Sequence, residues 1–153
     1  MAKRPGIFPT FFISGFECST FLWRDKKRRN LIAETQHDRF AMQDYELLRR
    51  LGIAVSREGI PWPLVDQKGQ YNFSSIDPMI QAMKRQQILP IWDLCHYGYP
   101  DDLDPFSETF DERFAGYCKA AAEYVIPKMH GPIFLHLSMR LHFFHFAEEN
   151  GVG

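Results

Sequence analysis

Charged and polar side chains recur in this chain wherever an apolar run stops. Arg57 and Glu58 follow Ile53-Ala54-Val55-Ser56, and Asp93 and His96 follow Ile88-Leu89-Pro90-Ile91-Trp92. Glu17 follows Phe11-Phe12-Ile13-Ser14-Gly15-Phe16. His96 offers proton transfer or hydrogen bonding near neutral pH. Two charges at a strand end are costly to bury without partners, so other polar groups should converge on Arg57 and Glu58. Each residue also has a plainer reading. Arg57–Glu58 could be a structural ion pair, Glu17 a surface carboxylate, and His96 a histidine satisfied in its loop. Cys95 reads as a small buried hydrophobe rather than a nucleophile.

The elements that must position these groups alternate. Phe11–Phe16, Ile53–Arg57 and Ile88–Trp92 read as three buried strands, with a fourth starting at about Pro132 to Phe134. Three helices lie between them. The first begins at Thr35, capped by its side chain with Asp38 three residues on, and shows an apolar stripe of Phe40, Leu47, Leu48 and Leu51. Arg49 and Arg50 occupy its last turn and Gly52 stops it. Met42 and Tyr45 read as packing residues. The second helix follows Ser74 or Ser75, tolerates Pro78 in its first turn, and buries Ile76, Ile80 and Met83. The third is capped by Ser107, buries Phe110, Phe114, Tyr117, Ala121 and Val125, and ends at Pro127 and Gly131. Gly59, Pro61 and Pro63 break the chain after the second strand, Phe21–Leu31 reads as a loop, and Asp66–Gln70 reads as a turn. Such β-α-β-α-β-α-β alternation means parallel strands with right-handed crossovers. In α/β barrels the C-terminal strand ends build the active site.

The 153 residues, 45% of them hydrophobic, suffice for one domain with its own core. A net charge of −1 leaves no global field for nucleic acid or an anionic membrane. The short basic run Arg24–Arg29 is interrupted by Asp25 and reads as a solvated loop. Cys18, Cys95 and Cys118 are odd in number and show no metal-ligand spacing, so reduced thiols in the cytoplasm are expected. No cofactor, metal, membrane or nucleic-acid partner is expected. No glycine-rich phosphate loop is present, which weakens a nucleotide-binding, doubly wound alternative.

Three segments carry a resemblance. Ser56-Arg57-Glu58-Gly59-Ile60-Pro61-Trp62-Pro63 resembles the "Y-R-F-S-I-S-W-S" segment of family 1 glycoside hydrolases. Leu94-Cys95-His96-Tyr97-Gly98-Tyr99-Pro100 resembles their "L-Y-H-W-D-L-P". The turn Gly69–Phe73 fits the segment between. The likeness is collinear from about Phe11 to Phe134. It implies a (β/α)₈ barrel cleaving β-glycosides with retention, through two carboxyls about 5 Å apart. It further implies that Arg57 orients and tunes a nucleophile, and that His96 and Trp62 help form the sugar subsite. The family's N-terminal sugar-binding Gln has no match, since Leu22 stands there, and Glu17 is the candidate substitute. Glu58 and Asp93 complete the set of site-supporting residues.

A complete barrel needs about 250 residues. The expected fold is therefore an incomplete barrel of the TIM type: residues 1–134 hold three βα units and the start of a fourth strand. Residues 135–153 do not resemble the family, and its fourth-strand Asn-Glu is missing. Back-translating His136–Gly153 with permitted codons and reading one base earlier yields Ser-Pro-Ile-Asn-Glu-Ile followed by an aromatic, glycine-rich run. The expectation is an out-of-frame tail after a one-base shift near Phe134. On this reading the chain is the N-terminal portion of a β-glycosidase, inactive alone, whose partner is a sugar or β-glycoside. Two other readings remain: a sugar-binding half-barrel that self-associates through open sheet edges, and a different barrel enzyme using Glu17, Arg57, Glu58, Asp93 and His96.

Overall fold

The computed structural model describes residues 6–137. In chain order its elements are β1 (Ser14–Gly15), β2 (Thr20–Leu22), β3 (Arg28–Asn30), α1 (Leu31–Glu34), α2 (His37–Arg50), β4 (Val55–Gly59), α3 (Trp62–Val65), β5 (Asp66–Gln67), β6 (Gln70–Tyr71), α4 (Asp77–Gln86), β7 (Leu89–Asp93), α5 (Phe110–Val125) and β8 (Phe134–His136). One sheet runs β1-β4-β7-β8, and every neighbouring pair in it is parallel. The order is sequential, as it is in half of an eight-stranded barrel. The register places Gly59 beside Asp93 and Asp93 beside His136, so the strand ends are level. No helix among the described residues is long and apolar enough to cross a membrane.

The helices follow from their spacing. Helix α5 buries Phe110, Tyr117, Ala121 and Val125, as expected, with Phe114 packed at the margin. Helix α4 has Pro78 in its first turn and buries Ile80 and Met83, and the 3₁₀ turn leading into it buries Ile76. Gly52, with φ at 74°, ends the stretch after α2 where a side chain would be strained. Lys68 and Gly69 both have positive φ and close the β5–β6 hairpin, the left-handed pair that a tight primed turn requires.

Several expectations are corrected. The first strand is only two residues long, and Phe11 and Phe12 are 94% and 69% exposed rather than buried. Strand β1 lies at the sheet edge, and among the described residues nothing pairs with its far side. The stretch after Thr20 is not a loop: β2 and β3 form an antiparallel hairpin. Its basic run is not simply solvated. Arg28 donates to the carbonyls of Thr20 and Tyr99 and pairs with Asp101, while Arg29 pairs with Glu34 through two nitrogens. Thr35 does not cap α2: its hydroxyl donates to the Leu31 carbonyl, and Gln36 at φ 61° separates the two helices. Helix α2 buries His37, Ala41, Tyr45 and Leu48, leaving Phe40, Leu47 and Leu51 exposed. Its inward face is set by a polar pairing of His37, described below, which a count of apolar residues could not anticipate. Ser107 bonds to the Asp104 carbonyl instead of capping α5, which starts at Phe110. The fourth strand begins at Phe134 and takes in Leu135 and His136. Residues 138–153, most of the expected out-of-frame tail, lie outside the described residues.

Candidate functional site

Side chains alternate between the two faces of a strand, and β4 divides its two charges accordingly. Arg57 points to one face and Ser56 and Glu58 to the other. On the Arg57 face, three sequence-distant segments meet. Arg57 Nε lies 3.5 Å from Asp93 Oδ2, and His96 Nδ1 lies 3.2 Å from the same oxygen. Arg57 Nη2 is 3.4 Å from His96 Nδ1 and 3.5 Å from Nε2. Near-equal distances to both ring nitrogens place the guanidinium across the imidazole rather than in line with either lone pair, a cation-against-ring contact. His96 Nε2 faces Glu17 Oε1 at 3.9 Å. Cys18 Sγ accepts a weak bond from Arg57 Nη2 at 3.9 Å.

Glycines make this convergence sterically feasible. A Cβ at Gly59 would lie 2.3 Å from Cys18 Cβ, and one at Gly98 would lie 1.6 Å from the Thr20 carbonyl oxygen. The segment Glu17–Thr20 is thus pressed directly onto the ends of β4 and the loop after β7. Glu17 braces that segment itself: its Oε1 accepts from the backbone N–H of Cys18 and Ser19 at 3.0 and 2.9 Å and from the Ser19 hydroxyl at 2.5 Å. Partial burial opposes ionisation of Glu17, but those bonds and His96 outweigh it and hold the carboxyl below its ordinary range. Burial pushes the Cys18 thiol up to about 12, the nearby Arg57 offsetting only part of the effect. It is not an activated nucleophile.

The cluster is under-bonded at its centre. Asp93 is fully buried, yet its Oδ1 has no hydrogen-bond partner among the described residues, and neither does Arg57 Nε. His136 Nδ1 lies 3.7 Å from Oδ1, brought there by the β7–β8 register. Arg57 remains 34% exposed, so the cluster has a side open to solvent. Polar groups held with incomplete bonding at an accessible strand end are what a ligand could complete.

Glu58 is elsewhere. It is 1% exposed on the helix side of β4, where Ser56 Oγ donates to its Oε1 at 2.7 Å and His37 Nε2 lies 3.2 Å from its Oε2. His37 Nδ1 pairs with Asp44 at 2.7 Å, and its ring stacks on Phe16 at 3.7 Å. Burial disfavours the imidazolium, but Glu58 and Asp44 overcome this and hold His37 above the ordinary histidine range. Glu58 does not pair with Arg57 as the plainer reading would have it; its partner is His37, on the face of β4 opposite Arg57.

Trp62 is also withdrawn from the cluster. It is 1% exposed in α3, packed on Phe110, Phe114 and Tyr117, and donates from Nε1 to Asp66 Oδ2 at 3.0 Å. Asp66 in turn takes two bonds from Arg113, both at 2.8 Å. Trp62 thus anchors the helix layer and presents no surface to a sugar. Of the sequence candidates, the fold brings together Glu17, Arg57, Asp93 and His96. Sequence reasoning missed Cys18 and His136 as neighbours. Cys18 adjoins Glu17, so placing one strand end placed both; His136 becomes adjacent only through strand pairing. A separate hollow of about 320 Å³, lined by Tyr71, Leu103, Thr109, Glu112 and Arg113, shares none of these residues.

Comparison with known proteins bears on this arrangement. No protein-family model matches the chain. A probable inactive β-glucosidase of Oryza sativa subsp. japonica is 30% identical over 84 residues, 50% of this chain and 14% of that protein. Among solved structures, a family 1 β-glucosidase from Thermotoga maritima superposes with a TM-score of 0.57 at 20% identity, over 67% of this chain and 25% of that one. A psychrophilic β-glucosidase from Micrococcus antarcticus gives 0.56 at 22% identity, over 66% and 23%. A β-glycosidase gives 0.60 at 20% identity, over 76% and 29%. The chain therefore spans about a seventh of the curated relative and about a quarter of the similar structures. The resemblance to family 1 glycoside hydrolases holds over about two thirds of the chain, and the fold is an incomplete (β/α)₈ barrel.

Proposed function

We propose that residues 6–137 are the sugar-recognition portion of a retaining β-glycosidase barrel and do not hydrolyse glycosides by themselves. The observation carrying this is the convergence of Arg57, Asp93, His96 and Glu17 at level ends of neighbouring parallel strands. Arg57 and His96 supply the donors for sugar hydroxyls, and Glu17 an acceptor at the rim. Retention requires two carboxyls flanking the anomeric carbon about 5 Å apart. Asp93 is fully buried against Arg57 and His96, and Glu17 is held by its own loop, so neither is free to attack. In this reading Asp93 takes the charge-partner place that the family resemblance would give a nucleophile. The three thiols, all free, suit the cytoplasm.

The test is aryl β-glycoside hydrolysis by the pure protein alongside a monosaccharide titration followed by NMR. No turnover is expected, with weak binding lost in Arg57→Ala and His96→Ala. Steady release of the aryl group would overturn the reading. The out-of-frame origin of residues 135–153 is decided separately by the gene: the shifted frame must encode Asn-Glu and stay open downstream.

A second reading, self-association, has its own observation. On α2, Phe40, Leu47 and Leu51 form one stripe at helical spacing and are exposed. They lie on the flank opposite Met42, the residue that contacts Gln86 of α4. Phe11 and Phe12, ahead of the edge strand β1, are exposed as well. Apolar surface beside an open sheet edge favours pairing with more polypeptide. Light scattering with size separation distinguishes a defined dimer from monomer or aggregate.

A further inference from the structure

We propose that Cys18, Asp93 and His96 form a binding site for a single thiophilic divalent cation of the zinc type. The three residues come from the loop after β1, the end of β7 and the loop beyond it, and their ligand atoms all lie within 4.8 Å of one another. For bonds of 2.0–2.3 Å, tetrahedral ligands sit about 3.3–3.8 Å apart. The cluster is thus one set of small side-chain rotations from coordination geometry, with His96 Nδ1 and Asp93 Oδ2 already 3.2 Å apart. A sulfur, an imidazole and a carboxylate are a donor set suited to zinc rather than magnesium or calcium. A single sulfur, nitrogen and oxygen from three segments would leave a fourth position open toward the solvent side, where Arg57 is part-exposed.

Two further observations point to a missing cation. Asp93, with no exposed surface, has an oxygen without a hydrogen-bond partner among the described residues. The local charge is also uneven: the Arg57 guanidinium pairs with Asp93, while the second carboxylate, Glu17, faces the His96 ring. A divalent ion that displaces the Cys18 proton brings the group to neutrality, since it adds two positive charges and creates one thiolate. Arg57, whose Nη2 lies 3.9 Å from Cys18 Sγ and 3.4 Å from His96 Nδ1, must swing aside to admit the ion. A metal takes the sulfur as thiolate, so binding releases one proton and strengthens as pH rises. Neither the likeness to glycosidases nor the proposed sugar recognition enters this argument.

The experiment uses the whole chain stripped with a chelator. Zinc is titrated against a chromophoric competitor, and cobalt is added as an absorbing surrogate. One equivalent is expected to bind, with a near-ultraviolet thiolate-to-cobalt band. Cys18→Ser should abolish the band, and His96→Gln should weaken zinc binding by more than the roughly 10–100-fold that loss of an outer partner costs. Cys95→Ser and Cys118→Ser should leave both readouts intact. Circular dichroism establishes that each variant is folded, and His96→Gln carries the test if Cys18→Ser is not. No band, or a band that persists without Cys18, or equal loss in Cys118→Ser, would overturn the site.

Discussion

The two faces of β4 carry neighbouring charges with opposite fates. On the helix side, Glu58 meets His37, Ser56 and, through His37, Asp44, in a network with short contacts. On the other side, Arg57 meets Asp93 and His96 at 3.4–3.5 Å, with an orphaned carboxylate oxygen and an open rim. The first arrangement is complete without a ligand and holds α2 to the sheet. The second is incomplete and positioned where ligands enter such barrels. Bond saturation, rather than burial of charge alone, separates a structural pair from a candidate site.

The comparison is broken most forcefully at Glu58. Glu58→Ala leaves His37 buried without one of its carboxylates and should cost about 3–5 kcal/mol. Arg57→Lys keeps a cation beside the buried Asp93 and should cost clearly less while weakening any sugar binding. Urea denaturation of both variants checks this, and equal losses would erase the distinction between the faces. Next in size is Gly98→Ala. Its Cβ would overlap the Thr20 carbonyl, so it should cost about 1–3 kcal/mol or more and displace the Glu17–Thr20 segment from the open face. Loss of stability with Glu17 and Cys18 still in place, read by NMR, would show that the segment is not seated this way.

A smaller effect comes from pH. His37 binds its proton more tightly in the folded chain than in the unfolded one, where the pKa is about 6.5. Its contribution is therefore fully present below about pH 6.5 and is lost as pH rises through the higher folded value. The groups facing it are Asp44 and Tyr45 from α2, Glu58 from β4 and the Phe16 ring. Melting temperature should decline across that range in the parent chain and lose that slope in His37→Gln; an unchanged slope would assign it to another group. Smallest in stability is Leu47→Lys on the bare flank of α2, expected within about 0.5 kcal/mol. Its effect should appear in light scattering as less association, and unaltered association would remove that flank from any contact.

Much of the frame was legible in the residues. Helical spacing in Phe110–Val125, the break at Gly52, Pro78 in a first turn, and the Lys68-Gly69 corner each follow from local preferences that the fold did not overrule. The alternation of strand and helix signals fixed a parallel sheet, because crossovers leave no other economical path. The period of two along Ser56-Arg57-Glu58 sends Arg57 and Glu58 to opposite faces, although the sequence reading places both in one candidate site. Which face each would take was not legible. Tertiary packing decided it, since His37 pairs with Glu58 and thereby turns α2 so that Phe40 and Leu47 face outward. Trp62 was a site residue only by the family resemblance, and the aromatic stripe of α5 claims it. Cys18 is too far in sequence from Asp93 and His96 for any spacing rule to join it to them. Their meeting depends on β1 and β7 flanking β4 and on Gly59 and Gly98 admitting the loop between, which are consequences of long-range pairing and close backbone approach rather than local propensity.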